Sequence, residues 1–420
     1  KIQKVVDNFE NDYAFIEAMD GKLYFLTNDE APMYKLMTID PKNSSRENWV
    51  DVVPENQNQV LKSCSFADGK LILEYEKDAR SLVEIYSRDG QLISELELPG
   101  IGTLAGLSSK EKGSEVFYSF TSFNVPNEVY SYDTESNKSE LIFRPEVDFD
   151  VDNYVTEQIF YESKDGTTVP MFVFHKKGLK LDGKRPTLLY GYGGFNITYT
   201  PSFKVTNLIW LENDGVLALA NIRGGGEYGE KWHEAGTILN KQNVFDDFIA
   251  AGEYLIDNKY TSSKRLSILG GSNGGLLVGA VTNQRPDLFA VALPAVGVMD
   301  MLRFHKFTIG HYWVSDYGSS ENEEQFLYLK NYSPMHNISE TADYPAVFVT
   351  TADHDDRVVP AHSFKYIATL QEKYKGKNPV VIRIETDAGH GAGKPISKTI
   401  DEYADRWAFA FYNMNFTPEY

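Results

Sequence analysis

The chain has 420 residues, and at roughly 150 residues per domain that length favours two or three domains over one. Its composition, 42% hydrophobic, 24% charged and 13% aromatic, excludes a disordered, collagen-like or coiled-coil chain. A formal charge of −19 argues against a nucleic-acid partner, and the single cysteine, Cys64, excludes an internal disulfide and a multi-cysteine zinc site. The longest nearly unbroken apolar run, Phe289 to Met299, is too short for a membrane span and carries Pro294. The opening KIQKVVDNFE, without Met or a charged-then-apolar leader, reads as the interior of a domain.

From Lys1 to about Glu146 the sequence is a series of short alternating strands broken by polar turns. Three stretches share one plan: Gly21–Asp40, Gly69–Asp89 and Ser114–Asp133. Each runs strand, turn, strand and then Asp, and the three Asp positions are 49 and 44 residues apart. A repeat of about 40–50 residues holding four short strands is what a propeller blade requires, and a β-sandwich of similar strand count is the alternative. The region carries 15 Lys and Arg against 26 Asp and Glu, or −11 of the total charge.

After Asp148 strands and helices alternate. Strands are expected at Pro186–Tyr192, Gly215–Ile222, Arg265–Gly270, Ala346–Ala352 and Val380–Thr386. Helices are expected at Val244–Asn258, Gly275–Gln284, Ser363–Tyr374 and Thr399–Tyr412. That alternation predicts an α/β domain with a doubly wound, mostly parallel sheet covered on both faces. Its ligands bind in the loops at the carboxyl ends of the strands.

The sharpest motif follows the third of these strands. Gly270-Gly271-Ser272-Asn273-Gly274 fits G-x-S-x-G, with a β-rich run directly before it and a helix of small and apolar residues directly after it. Such an elbow lifts the Ser272 hydroxyl above the sheet and aims the helix N-terminus at the reacting group. A serine needs a base to become nucleophilic. Of eight histidines His390, in TDAGHGAGK, directly follows the strand VVIRIET and is flanked by glycines that leave its ring accessible, whereas His336 and His362 have no comparable strand-end setting. The acid that orients it belongs on the loop after the preceding strand, where Asp353, Asp355 and Asp356 all stand; spacing alone does not choose among them. The Asn273 N–H would be one donor to the developing oxyanion, and the hydroxyl of Tyr190 or Tyr192 in YGYGGFN the other. The glycines Gly224, Gly225 and Gly226 lack the spacing of a nucleotide loop and read as a shaped loop beside the site.

Together YGYGGFN, NIRGGGEYGEKWHEAG, NKQNVFDDF, GGSNGGLL, NQRPDLF, VGVMDMLRFHKFTIGHYW, TADHDDRVVP and AGHGAGKP resemble the prolyl oligopeptidase family of serine peptidases over about residues 150–400. The resemblance implies an α/β-hydrolase catalytic domain at 148–420 and, at 1–147, about three blades of a propeller whose N-terminal part is missing. It assigns Ser272 as nucleophile, Asp355 as orienting acid, His390 as base and Tyr192 with Asn273 as oxyanion donors. Trp313 would stack on a proline ring, Phe195, Val298, Ile309, Tyr317 and Val358 would line the pocket, and Arg357 would hold a substrate carbonyl.

The implied activity is cleavage of short peptides after proline through an acyl-enzyme, with no cofactor and no metal. The resemblance also implies a monomer in the cytoplasm, or alternatively the periplasm, with short proline-containing peptides and no nucleic acid or membrane as partners. A dipeptidyl peptidase would need an acidic anchor for a free amino terminus, and a basic-specific oligopeptidase acids in the pocket; the motifs supply neither. An esterase has no use for propeller repeats, and an inactive scaffold has no use for an intact Ser, Asp and His.

Overall fold

The computed structural model describes residues 4–391 and 393–419. The chain forms two compact units. The first runs up to Val151 and takes in Thr200–Phe203 and Glu227–Lys231; the second holds Asp152–Tyr199, Lys204–Gly226 and Trp232 onward.

The first unit contains three four-stranded antiparallel meanders. They are β1 to β4 (Tyr13–Met19, Lys22–Thr27, Lys35–Ile39, Val50–Val53), β5 to β8 (Val60–Ala67, Lys70–Lys77, Arg80–Ser87, Leu92–Leu96) and β9 to β12 (Thr103–Ser109, Glu115–Thr121, Glu128–Asp133, Lys138–Phe143). The three sequence repeats are the second and third strands of each sheet, and Asp40, Asp89 and Asp133 close or follow the third strand. Strand alternation decides how the sheets stack. In β6, Leu71, Leu73 and Tyr75 face the first sheet's Leu26, Leu36 and Val53, while Ile72 joins Val83 and Ile85 against Val116, Tyr118 and Phe120 of the third. A middle sheet buried on both faces is a blade between blades; in a sandwich each sheet buries one face.

The second unit is built on an eight-stranded sheet in the order β13-β14-β16-β15-β17-β18-β19-β20. Its strands are Tyr154–Glu162, Thr168–Lys176, Thr187–Tyr190, Val216–Ala220, Leu266–Gly271, Val291–Ala295, Ala346–Ala352 and Val380–Glu385, as β13 to β20. From β16 to β20 every pairing is parallel, whereas β13 and β14 form an antiparallel hairpin that joins β16 antiparallel. The sheet is therefore mixed, with a parallel majority. The sequence reading missed this hairpin and β18, and it ran the first strand past Tyr190 to Tyr192.

The helices are α1 (Leu208–Glu212), α2 (Glu230–Glu234), α3 (Gln242–Asp257), α4 (Asn273–Gln284), α5 (Val314–Tyr317), α6 (Glu323–Tyr332), α7 (Ala361–Lys373) and α8 (Ile396–Asn413). In α3 the buried set Val244, Phe245, Phe248, Ala251 and Leu255 repeats at helical spacing and shares one core with the inner faces of α4 and α7. On the other side Trp210 of α1 meets Trp407 and Phe411 of α8, with ring centroids 5.4 and 4.7 Å away. Strands such as β16 (VLALA) and β19 (AVFVTTA) are buried along their whole length, as strands covered on both faces must be.

Candidate active site

The elbow comes first. Ser272 leaves β17 and enters α4 at φ 58° and ψ −116°, a backbone conformation that a side-chain-bearing residue adopts only when its surroundings hold it there. Its N–H donates to Ala295 O of β18 at 2.9 Å. The glycines follow from crowding: a Cβ on Gly270 would lie 2.3 Å from Gly274 O, and one on Gly274 2.7 Å from Gly191 O. At Gly271, the variable position, a Cβ would make ordinary contacts beyond 3.8 Å. Asn273 is the first residue of α4, so its N–H has no carbonyl one turn earlier to bond.

Burial and hydrogen bonding distinguish the three aspartates. Asp355 is 3% exposed, its Oδ2 lies 2.6 Å from His390 Nδ1, and its Oδ1 accepts the N–H groups of Arg357 (3.1 Å) and Val358 (2.9 Å). A carboxylate fixed by two backbone donors holds the imidazole in one orientation and tautomer, leaving Nε2 to act as base. Asp353 is exposed and pairs with His354 at 2.7 Å, and Asp356 is exposed. His390 lies past β20, half-buried, where the sequence expected it.

The two tyrosines also differ in their surroundings. The Tyr192 phenol lies within electrostatic reach of Ser272, whereas Tyr190 is packed against Tyr199 and lies near Tyr403, with the Lys204 ammonium 5.4 Å from its ring centre. Burial pushes the Tyr192 phenol up to about 12, reinforced by Tyr199 and Asp316 and opposed by the Ser272 hydrogen bond and Arg357. Near neutral pH it keeps its proton and can donate it to an anion.

The expected pocket residues form a linked aromatic set. Phe195 meets Tyr317 edge-on at 5.4 Å, Tyr317 meets Phe304 at 5.3 Å, and Phe304 stacks on half-buried Trp313 at 6.5 Å and 13°. Val298 and Val358 are each 1% exposed in the same core. Arg357 is exposed with its backbone bonded to Asp355, and it lies near enough to act on the Tyr192 phenol. Ile309 is 40% exposed, just ahead of the short turn that carries Trp313, and lies outside the buried set.

Residues the sequence reading did not single out complete the site. Phe304 is the floor beneath Trp313. Asp316 Oδ2 accepts Phe195 N–H at 2.8 Å and lies 2.9 Å from His233 Nε2. Lys241, 1% exposed, donates to Gly193 O. Lys241 lies inside the block NKQNVFDDF and Asp316 three residues past the end of VGVMDMLRFHKFTIGHYW, and neither has a spacing that marks it as internal.

A serine on a strand–helix elbow, with a buried Asp–His pair on the loops after two later strands of a mostly parallel sheet, defines an α/β hydrolase, here in a chain that also carries propeller blades. The profile of the prolyl oligopeptidase family matches residues 201–417, and that of the prolyl oligopeptidase N-terminal β-propeller domain matches residues 1–145. The chain is 49% identical to the prolyl endopeptidase of Elizabethkingia miricola over 98% of its own length and 58% of that protein's. It is 44% identical to the prolyl endopeptidase of Dictyostelium discoideum over 97% of its length and 56% of the relative's. A solved structure from a study of two prolyl endopeptidases superposes with a TM-score of 0.95 at 44% identity, covering 98% of this chain and 61% of that one. Prolyl oligopeptidase B from Galerina marginata, bound to a 35-residue hydrolysis and macrocyclization substrate, gives a TM-score of 0.95 at 35% identity over 99% and 59% of the two chains. The chain belongs to the prolyl oligopeptidase family, and it spans a little under three-fifths of the length of these curated relatives. Among the described residues no helix is long and apolar enough to cross a membrane.

Proposed function

We propose that the protein carrying this chain is a serine endopeptidase that hydrolyses short peptides on the carboxyl side of proline. The observation that carries the reading is the buried Asp355 carboxylate on His390 Nδ1 at 2.6 Å, in a chain whose Ser272 stands on a strand–helix elbow at φ 58°. In this reading His390 Nε2 takes the proton of Ser272 Oγ as that oxygen attacks the carbonyl carbon. The negative charge on the carbonyl oxygen falls to the Tyr192 hydroxyl and the Asn273 N–H. The tetrahedral intermediate collapses to an acyl-serine as His390 gives its proton to the leaving amine. Water, deprotonated by His390, then releases the acid and restores Ser272.

Trp313 supplies a flat face for the pyrrolidine ring, with Phe195, Tyr317, Val298 and Val358 as walls and Ile309 at the mouth. The Arg357 guanidinium holds a carbonyl on the N-terminal side of the scissile bond. A wall of aromatic and aliphatic groups has no carboxylate to pair with Lys or Arg, which disfavours basic residues before the cut.

Residues 1–147 are, in this reading, about three blades of a longer propeller that limits substrates to small peptides, and 148–420 the catalytic domain. The remaining N-terminal part of the same protein is needed for full activity, and the enzyme works as a monomer in the cytoplasm, with the periplasm as the alternative. An active-serine phosphonate should label full-length protein once, and Ser272→Ala should abolish the label. Labelling that survives Ser272→Ala contradicts the assignment.

A further inference from the structure

The residues given direct roles above are joined from behind by one buried cation. Lys241, at the start of α3, is 1% exposed, and its Nζ donates to Gly193 O at 2.8 Å and to Asn273 Oδ1 at 3.3 Å. The same ammonium lies 3.7 Å from Asp316 Oδ1 and 5.3 Å from the ring centre of Tyr317. Asn273 Oδ1 also accepts the Tyr317 hydroxyl at 2.9 Å, and Asn273 Nδ2 donates to Tyr192 O at 2.5 Å. Asp316 holds Phe195 by its backbone N–H. Asn273, Phe195 and Tyr317 thus each meet Lys241 or Asp316 directly, and Tyr192 is joined to Lys241 through the Asn273 amide.

We propose that Lys241 is a positioning residue that fixes the Tyr192 and Asn273 oxyanion donors relative to one another by setting the orientation of the Asn273 amide. This rests on the serine-peptidase reading above. The Asn273 side-chain amide can sit either way round. Two donors, Lys241 Nζ and Tyr317 Oη, meet at its oxygen, so only the opposite end can carry N–H toward Tyr192 O. Turned over, the amide would set its oxygen against that carbonyl and its N–H against an ammonium. The main chain of Tyr192 would lose its tie to the helix that carries the other donor.

Burying an ammonium is expensive, and burial pushes the Lys241 amine down while Asp316 pulls it back up. A methionine of similar length fills the same volume without that cost. Stability alone therefore gives no reason for a lysine here, whereas holding an amide and a loop carbonyl does.

The test is Lys241→Met in the full-length protein, read with a matched pair of ligands. A blocked proline aldehyde forms a hemiacetal with the serine and uses both oxyanion donors; the corresponding blocked proline acid occupies the pocket without them. A misaligned oxyanion hole should lower kcat and aldehyde affinity together by roughly 10- to 100-fold, with KM and the acid's affinity changed less than about threefold. Equal losses for aldehyde and acid, or an unchanged aldehyde, would overturn the proposal.

If Lys241→Met does not fold, Tyr317→Phe removes the other donor to the same oxygen while keeping the pocket wall. It should give the same selective loss at smaller size, and no selective loss rejects the proposal. A wild-type protein that fails to bind the aldehyde brings down the peptidase reading and this one with it. Tight wild-type binding combined with an indifferent Lys241→Met brings down this one alone.

Discussion

The two units bury different things. In the blade unit the interior is mostly strand side chains at alternate positions, and its buried charged groups are acids such as Asp29, Glu76 and Glu128. Every buried Lys or Arg among the described residues, namely Arg223, Lys241 and Arg406, lies in the hydrolase unit. Apolar burial is non-directional and specifies a sheet stack. A buried cation has to be met by acceptors in one geometry, so it specifies where individual groups point. The blade unit is organised by area and the hydrolase unit, near its site, by partners.

The comparison breaks most visibly at the acid. Asp355→Asn should reduce kcat by about 10⁴-fold, because the amide favours the wrong imidazole tautomer, while exposed Asp356→Asn should stay close to wild type. Steady-state kinetics on both variants checks this, and equal losses would remove the basis for choosing Asp355. Next, Tyr192→Phe should lower kcat by about 10²- to 10³-fold with little change in KM; a change confined to KM would make Tyr192 a binding residue.

In the other unit, Leu73→Ala empties a fully buried site between the first two sheets and should cost about 2–5 kcal/mol, with hydrogen exchange rising in β5 to β8. The rate of Ser272 labelling below the unfolding transition should not move. A changed labelling rate would show that blade packing reaches the reacting groups.

The smallest effect is a pH dependence. Burial pushes His362 down from 6.5 to about 4; Asp300 and Asp355 pull it up, and Lys365 pushes it further down. The unfolded chain takes up a proton below about pH 6.5 and the folded one only near 4, so this residue's contribution is present above 6.5 and lost as pH falls toward 4. The loss is on the order of 3 kcal/mol. Thermal unfolding of the wild type should weaken across that window, and His362→Asn, which keeps an acceptor for Asp300 N–H, should flatten the slope.

Much of this was legible in the sequence, for identifiable reasons. The elbow declares itself because glycine is the only residue that fits at Gly270 and Gly274, and the propeller because three sheets repeat one strand plan. The choice of Asp355 over its two neighbours was not legible from spacing, since burial and the partners of each carboxylate appear only when the loop is folded. β18 stayed hidden because Pro294 argues against a strand, yet it sits in register beside Gly270 in a fully covered parallel strand. Lys241 stayed hidden because a lysine among Asn and Gln reads as solvent-facing, and only the folded chain surrounds it with acceptors.

The proposed specificity rests on the aromatic set of Phe195, Tyr317, Phe304 and Trp313. The most direct test is kcat/KM of the full-length protein on matched blocked peptides that differ only in Pro, Ala or Arg before the scissile bond. The account predicts a strong preference for Pro that collapses in Trp313→Ala. Turnover with Arg favoured, or equal rates for all three, would contradict it.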